Sequence, residues 1–179
     1  MDEDVIIRTI GSDEAQERAE ALAAALAELL IDCVEGGASV SFMLPLPRDK
    51  ALRFWRKVLD GVGRGERALL VAESGDGRIV GTVQLITDLP ENQPHRAEVA
   101  KMLVHRGMRR RGVAQRLMAA IDAAAREQGK TLLVLDTVTG GDAERLYTRA
   151  GWQRAGVIPG FALLPAGGLC ATTVFYKTV

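Results

Sequence analysis

The segment TLLVLDT (131–137) constrains the fold more than any other, because it is short and almost entirely apolar. A strand of this composition is typical of a sheet that is covered on both faces. Segments with apolar residues at helical spacing precede and follow it, at 113–128 and 142–151. The sequence therefore predicts an α/β (α+β) fold, in which a mixed central sheet forms one layer and helices cover both of its faces.

The order of the remaining elements follows from periodicity and from turn residues. Ser12 is predicted to cap a first helix, Gly36-Gly37 ends that helix, and Asp76-Gly77 forms a hairpin turn. The predicted order is two helices (12–34 and from Pro47), three strands (67–74, 79–87 and 96–104), the helix 113–128, the strand 131–137, the helix 142–151 and two strands (152–158 and 171–179). No repeat or low-complexity tract interrupts this order, so one domain over residues 1–179 is predicted.

Composition argues against several classes of protein. Lys and Arg total 23 and so do Asp and Glu, which leaves no overall field for binding duplex DNA or an anionic membrane. No apolar run approaches the about 20 residues that cross a bilayer. The start MDEDVIIRTI lacks the features of a secretion signal, and Cys33 and Cys170 lie far apart. We therefore expect a cytoplasmic domain without metal, nucleic acid or membrane partner.

Three consecutive arginines, Arg109 to Arg111, stand between the predicted strand 96–104 and a helix that begins at Val113. Adjacent guanidiniums repel one another, so an anion is expected to compensate their charge. A helix N-terminus adds unpaired N–H groups and partial positive charge, which favour a phosphate. Gly112 permits a close approach of the backbone, and the small Ala114 leaves the first turn open. The segment therefore predicts a cradle for a pyrophosphate, although it matches neither GxxxxGK[ST] nor GxGxxG.

Two motifs resemble those of the GNAT superfamily of N-acetyltransferases. Residues 109–114, RRRGVA, match the [Q/R]-x-x-G-x-[G/A] pattern of its acyl-CoA loop, and AERLYTRAGW (143–152) is similar to its A-x-x-L-Y-x-x-x-G-[F/W] signature. This resemblance covers about residues 67–178. More narrowly, EGGASVSFM, RAEVAKMLV and VIPGFALLPAGGLCATTVFYKT look like segments of tabtoxin-resistance-type acetyltransferases. The sequence departs from the family pattern at two positions. Arg106 replaces a proline that would stiffen the loop, and Gly140 replaces an asparagine that would bind the cofactor; that hydrogen bond is either missing or supplied by Asp142.

The resemblance implies an enzyme that moves the acetyl group of acetyl-CoA directly to a small-molecule primary amine, with an antibiotic- or toxin-like amino acid as one candidate. It also implies that pantetheine lies like an extra strand where two parallel strands splay apart, bound by backbone groups near Met102, Leu103 and Val104. The phosphates are then expected at the loop formed by Arg109, Arg110, Arg111, Gly112, Val113 and Ala114. Acetyl-CoA would be the co-substrate, no metal is expected, and a homodimer is one expected assembly.

Three side chains are candidates for the chemistry. The resemblance places the Tyr147 phenol, with its ordinary pKa of about 10, on the CoA sulfur as a proton donor; otherwise Tyr147 would be a core residue whose hydroxyl bonds a carbonyl. Glu98 interrupts an otherwise apolar strand, which favours a partly desolvated general base acting through water. Asp136, at the end of the next strand, is the second candidate base. Alternatively, Glu98 pairs with Arg96 or Lys101, Asp136 caps a turn, or both carboxylates bind the ammonium of the substrate.

Two other classes of function compete with the enzyme. The first is an acetyl-CoA sensor that binds without turnover, which the presence of both Tyr147 and Glu98 disfavours. The second is a nucleic-acid-binding module that uses the segment from Arg106 to Arg116. A neutral net charge and the absence of interleaved aromatic residues disfavour that module.

Overall fold

The computed structural model of the chain describes residues 5–179. Its helices and strands are, in chain order, β1 (Ile6–Ile10), α1 (Ser12–Glu17), α2 (Ala19–Glu35), α3 (Arg48–Gly63), β2 (Arg67–Glu73), β3 (Ile79–Ile86), β4 (Arg96–Val104), α4 (Val113–Glu127), β5 (Leu132–Val138), α5 (Asp142–Arg149), β6 (Gln153–Leu163) and β7 (Leu169–Thr178), with a 3-10 turn at Arg106–Met108. The strands form a seven-stranded sheet in the order β1-β2-β3-β4-β5-β7-β6. Among the described strands, β4 and β5 are parallel and all other neighbours are antiparallel.

Helices cover both faces of this sheet because the side chains of its strands alternate between the faces. On β2, Leu69 and Val71 belong to one apolar cluster with α1, α2 and α3, whereas Leu70 and Ala72 belong to a second cluster with α4 and α5. The fully buried Trp55 of α3 lies in the first cluster. The predicted mixed sheet with helices on both faces is confirmed.

The N-terminal part of the fold differs from the prediction in three respects. β1 was not predicted; it forms the edge of the sheet against β2, where Arg8 is paired with Glu73 at 2.8 Å. The predicted first helix is divided at Arg18, whose φ of −112° and ψ of 18° depart from helical values. Gly11, not Ser12, occupies the N-cap, because the backbone of Gly11 is extended and Ser12 is already helical.

The C-terminal hairpin is longer than predicted. β6 has 11 residues and β7 has 10, and they pair as far as Leu163 with Leu169. The far end of this hairpin has no helix over it, so its exposed apolar residues do not follow the alternation that reveals a strand in sequence. None of the helices within residues 5–179 is both long and apolar enough to span a bilayer.

Candidate functional site

The two parallel strands separate in the middle of the sheet. β4 pairs with β5 through Arg96–Leu132, Ala97–Leu133 and Glu98–Val134, and the pairing then ends while both strands continue. The backbone of 99–104 therefore has no strand partner on the side of β5. The predicted splayed strand pair is confirmed, and the segment predicted to bind pantetheine lies along one of its rims.

The side chains of the predicted pantetheine segment point to different faces. Met102 and Val104 pack against the cluster under α4 and α5, whereas Leu103 is buried in the cluster under α2 and α3. Since these side chains are engaged in packing, it is the backbone of this segment that is available on the open rim. Backbone N–H and C=O groups without a partner strand can form hydrogen bonds with a ligand as they would with a neighbouring strand.

A bulge in β4 lies at the start of this rim. Ala100 pairs with Gln84 and Leu103 pairs with Thr82, so that Lys101 and Met102 together face one residue of β3. Lys101 has a φ of +51°, a left-handed conformation that is uncommon outside glycine. This bulge was not predicted, because a single extra residue leaves no signature in an apolar strand beyond the presence of a lysine.

The arginine-rich loop has the geometry of an anion cradle. Gly112 is the N-cap of α4 with a φ of +75°, and Arg110 is also left-handed with a φ of +62°. The guanidiniums of Arg109–Arg111 are exposed, and no carboxylate within residues 5–179 lies within 4.0 Å of them. A Cβ on Gly112 would meet no atom within 4 Å, so the space beside this glycine is open.

The first turn of α4 leaves its backbone accessible. The first N–H groups of a helix have no intrahelical acceptor, and the N-cap residue Gly112 has no side chain that could accept from them. Val113 is buried in the core and can contribute only its backbone, and Ala114 is partly exposed. Buried Met108 fixes the loop to the core on its other side.

The loop is held to α2 by Asp32. The N–H of Arg106 donates to Asp32 Oδ2 at 2.9 Å, its Nε donates to Oδ1 at 2.8 Å, and His105 Nε2 lies 3.6 Å from the same carboxylate. Burial raises the pKa of Asp32, but the hydrogen bonds from Arg106 outweigh burial and lower it overall. A proline at position 106 could not make the first of these bonds, because it has no N–H to donate. The lower rigidity expected of a turn without proline stays a prediction.

Glu98 is half-exposed and paired with a neighbouring arginine. Its side chain is 47% exposed, and Oε1 accepts a hydrogen bond from Arg96 Nη1 at 3.0 Å. Glu98 lies on the face opposite buried Ala97 and Val99, and a half-exposed side chain is consistent with the expected partial desolvation of its carboxylate. Of the two predicted pairings the one with Arg96 is present, while Lys101 donates to Ser41 instead.

Asp136 extends from the other rim of the opening, two residues beyond the last β4–β5 pair. Glu98 is paired with Val134, and side chains two residues apart on a strand point to the same face, so Asp136 lies on the face of Glu98. Leu135, which lies between Val134 and Asp136, is buried on the opposite face, under α4. Asp136 Oδ2 accepts a hydrogen bond from the Thr172 hydroxyl at 2.7 Å. The alternative in which Asp136 caps a turn is wrong, because the carboxylate bonds to the neighbouring strand β7.

Tyr147 is buried on α5, beside the opening. Its ring packs against Trp152 and Phe175, each with a centroid distance of 6.0 Å. Burial, and secondarily the charge of Asp136, raise the pKa of Tyr147 from 10.0 to about 12. The assumption of an ordinary phenol is therefore wrong. No hydrogen bond from the hydroxyl contributes to this pKa, in contrast to the alternative of a core tyrosine bonded to a carbonyl.

Contacts between the β5–α5 loop and the first residues of α5 hold this loop in place. The N–H of Gly140 donates to Glu144 Oε2 at 2.7 Å, and Asp142 forms an exposed ion pair with Arg145. Asp142 is thus engaged within its own helix, which favours the alternative in which the bond of the missing asparagine is not replaced. Within residues 5–179, no group of three or more His, Cys, Asp or Glu side chains is placed to hold a metal ion.

The comparison with protein families agrees with this geometry. A model of the acetyltransferase (GNAT) family matches residues 23–152, which is most of the chain. The chain belongs to the GNAT family. Among individual GNAT proteins, a relative from Azospirillum brasilense, described as an uncharacterized N-acetyltransferase in the hisH-hisA intergenic region, is 34% identical over 107 residues. That alignment spans 59% of this chain and 61% of the relative, less than two thirds of its length.

Solved GNAT structures share the fold over nearly the whole chain. A GCN5-related N-acetyltransferase from Kribbella flavida is 20% identical, with a TM-score of 0.77 and coverage of 98% of both chains. The yncA protein of Salmonella typhimurium, solved with its cofactor acetyl-CoA, is 19% identical with a TM-score of 0.76, covering 98% of this chain and 94% of the other. At this level of identity the similarity concerns the fold.

Proposed function

We propose that this GNAT protein is an acetyl-CoA-dependent N-acetyltransferase that acts directly on a small-molecule primary amine. The observation that carries the proposal is the opening between β4 and β5. It has an unpaired backbone rim along 99–104 and the arginine-rich loop at the end of that rim, and Tyr147 lies beside it. An elongated ligand with an anionic end fits this combination.

The chain has suitable groups for each part of acetyl-CoA. The backbone near Met102, Leu103 and Val104 can bind the pantetheine amides as a neighbouring strand would. The N-terminus of α4, with Gly112, Val113 and Ala114, suits the phosphates, and so do the guanidiniums of Arg109 to Arg111, which have no carboxylate partner within residues 5–179. Open space beside Gly112 supports this fit, because a side chain at that position would extend into the cradle.

When bound, acetyl-CoA supplies the thioester. A C–N bond forms while the C–S bond breaks, the amine loses a proton and the sulfur gains one. Tyr147, with a pKa of about 12, keeps its proton at neutral pH and can donate a hydrogen bond to the departing sulfur. Relative to a thiol of pKa about 8.5, complete transfer of that proton is uphill by about 5 kcal/mol. Tyr147 is therefore proposed to stabilise the sulfur as a hydrogen-bond donor, and solvent completes the protonation.

The amine must lose its proton before it attacks, and Glu98 is proposed as the base, with Asp136 as the second candidate. Both carboxylates lie on the face opposite α4, beside the opening. The half-exposed position of Glu98 suits a base that acts through water. If Glu98 is the base, Glu98→Gln lowers kcat/KM strongly while acetyl-CoA still binds; if it holds the ammonium, KM rises and kcat is kept. Asp136→Asn is the comparison, and if it alone abolishes turnover the two roles are reversed.

A thiol-release assay with acetyl-CoA tests the proposed function. The acceptors are amino acids, aminoglycosides, polyamines and β-lactam-type amino acids, the last of which addresses the resemblance to tabtoxin-resistance enzymes. Acceptor-dependent release is expected for at least one class. Tight binding of acetyl-CoA with no release for any acceptor would favour the sensor instead. The nucleic-acid module is less well supported, since Arg106 is engaged by Asp32 and Glu35.

A homodimer and a cytoplasmic location stay predictions. The feature that favours a dimer is the edge strand β6, which carries exposed apolar residues, including Ile158 at 46% and Phe161 at 53% exposure. Such an edge offers unpaired backbone groups to another strand. Sedimentation equilibrium of the purified chain at micromolar concentration distinguishes a dimer from a monomer.

A further inference from the structure

The opening between β4 and β5 contains a lysine that the proposed chemistry does not use. Lys101 lies at the bulge on the β4 rim. Its Nζ donates to the Ser41 hydroxyl at 3.1 Å and lies 5.7 Å from the centre of the Phe54 ring. No carboxylate within residues 5–179 lies within 4.0 Å of this ammonium. An ammonium has three donors, so Lys101 has capacity for an anionic partner.

The bulge is what directs Lys101 to this place. Ala97 and Val99 face the cluster under α4, and regular alternation would send Lys101 into the same apolar cluster. The extra residue turns it towards Ser41 and Phe54 on the opposite face. A φ of +51° is strained for a residue other than glycine, and bulges that redirect a side chain are common beside functional sites.

Opposite charges therefore stand on the two rims. Burial lowers the pKa of Lys101, while the negative charge of Asp136 on β5 acts in the other direction. The bulge turns Lys101 to the face of the sheet on which Asp136 also lies, and the two groups form no ion pair with each other. A ligand that carries both an ammonium and an anionic group would complement both rims at once.

We propose that Lys101 forms a carboxylate subsite for the acceptor, so that the acceptor is an amino acid whose amino group lies towards Asp136 and whose carboxylate binds the Lys101 ammonium. This inference rests on the proposed acetyl transfer and specifies its substrate class. Lys101 acts in specificity rather than in the reaction, because its partner is the part of the acceptor that does not react.

The test compares each amino acid with its carboxamide. Values of kcat/KM are measured by thiol release for L-alanine, L-phenylalanine and L-lysine and for the three corresponding amides. In the wild type the acid is preferred. Lys101→Gln is expected to lower the acid-to-amide ratio about 10- to 100-fold through KM, since a charge-assisted hydrogen bond is lost. Lys101→Arg keeps the charge and is expected to keep most of the preference. Comparing the ratio between variants cancels the different basicities of the two amines.

Lys50→Gln is the matched control. Lys50 also has its ammonium over an aromatic ring, 5.9 Å from the centre of Phe42, but it is exposed on α3. Its acid-to-amide ratio should equal that of the wild type. An unchanged ratio in Lys101→Gln, or an equal fall for acids and amides, would overturn the subsite while acetyl transfer itself stands. If no amine supports thiol release, the proposed function fails and this inference fails with it.

Discussion

Replacing Tyr147 by Phe isolates one hydroxyl group. The ring packs against Trp152 and Phe175 and is 6% exposed, so phenylalanine can keep that packing. What is lost is a donor that has no hydrogen-bond partner within residues 5–179 and is held protonated by a pKa of about 12. A hydrogen bond to a charged group such as a thiolate contributes roughly 1.5–3 kcal/mol. At about 1.4 kcal/mol per tenfold change in rate, kcat should fall roughly 10- to 100-fold.

The chain offers a matched control, because it has two tyrosines. Tyr176 donates to Gln153 Oε1 at 2.6 Å on an exposed part of the sheet, so Tyr176→Phe removes the same group away from the opening. The assay is thiol release at saturating acetyl-CoA and acceptor, with acetyl-CoA affinity measured by titration calorimetry. We expect Tyr147→Phe to lower kcat with nearly unchanged affinity. Equal kcat values for the two variants would refute the role of Tyr147 as the donor to sulfur.

The remaining predictions concern the loop and the effect of alkali. Gly112→Ala and Gly129→Ala place a Cβ at positive φ in open space at the two ends of α4. Both should cost about 1 kcal/mol of stability, yet only Gly112→Ala should weaken acetyl-CoA binding in calorimetry, and equal affinities would contradict the cradle. Asp32→Asn, which loosens the loop, should raise the Kd for acetyl-CoA about tenfold. Glu28→Gln, which removes another carboxylate of α2 whose exposed partner is Arg48 of α3, should leave the Kd unchanged. Because the pKa of Tyr147 is raised on folding, its stabilising effect is complete below pH 10 and is lost as the pH rises to about 12. Denaturant titrations should then show that the wild type loses up to about 3 kcal/mol more than Tyr147→Phe over that range.

The elements that repeat a clear pattern could be predicted from the sequence. The apolar strand at 131–137, the amphipathic helix that begins at Val113 and the arginine–glycine turn before it were all located within a residue or two. Each of them depends on local periodicity, on a glycine that permits positive φ, or on the charge of a helix N-terminus. Family membership follows from the same segments, because they carry the motifs.

The environment of the candidate side chains was decided by tertiary structure. The sequence shows that Glu98 interrupts an apolar strand, but only the packing shows that it lies half-exposed beside Arg96. Likewise, the raised pKa of Tyr147 depends on burial by residues that are distant in sequence. Desolvation and ion pairing are sums over neighbours in space, so no local pattern reports them.

The contacts that shape the opening join residues that are far apart in the sequence, so no local pattern predicts them. Asp32 holds a loop 74 residues away, and the bulge that turns Lys101 towards Ser41 arises from the register between β3 and β4. Register is set by the pairing of whole strands, and one extra residue reverses which face a side chain occupies. The sequence by itself determined the elements and the chemistry available at the arginine-rich loop, whereas the charges that face each other across the opening follow only from the way the strands pair and separate.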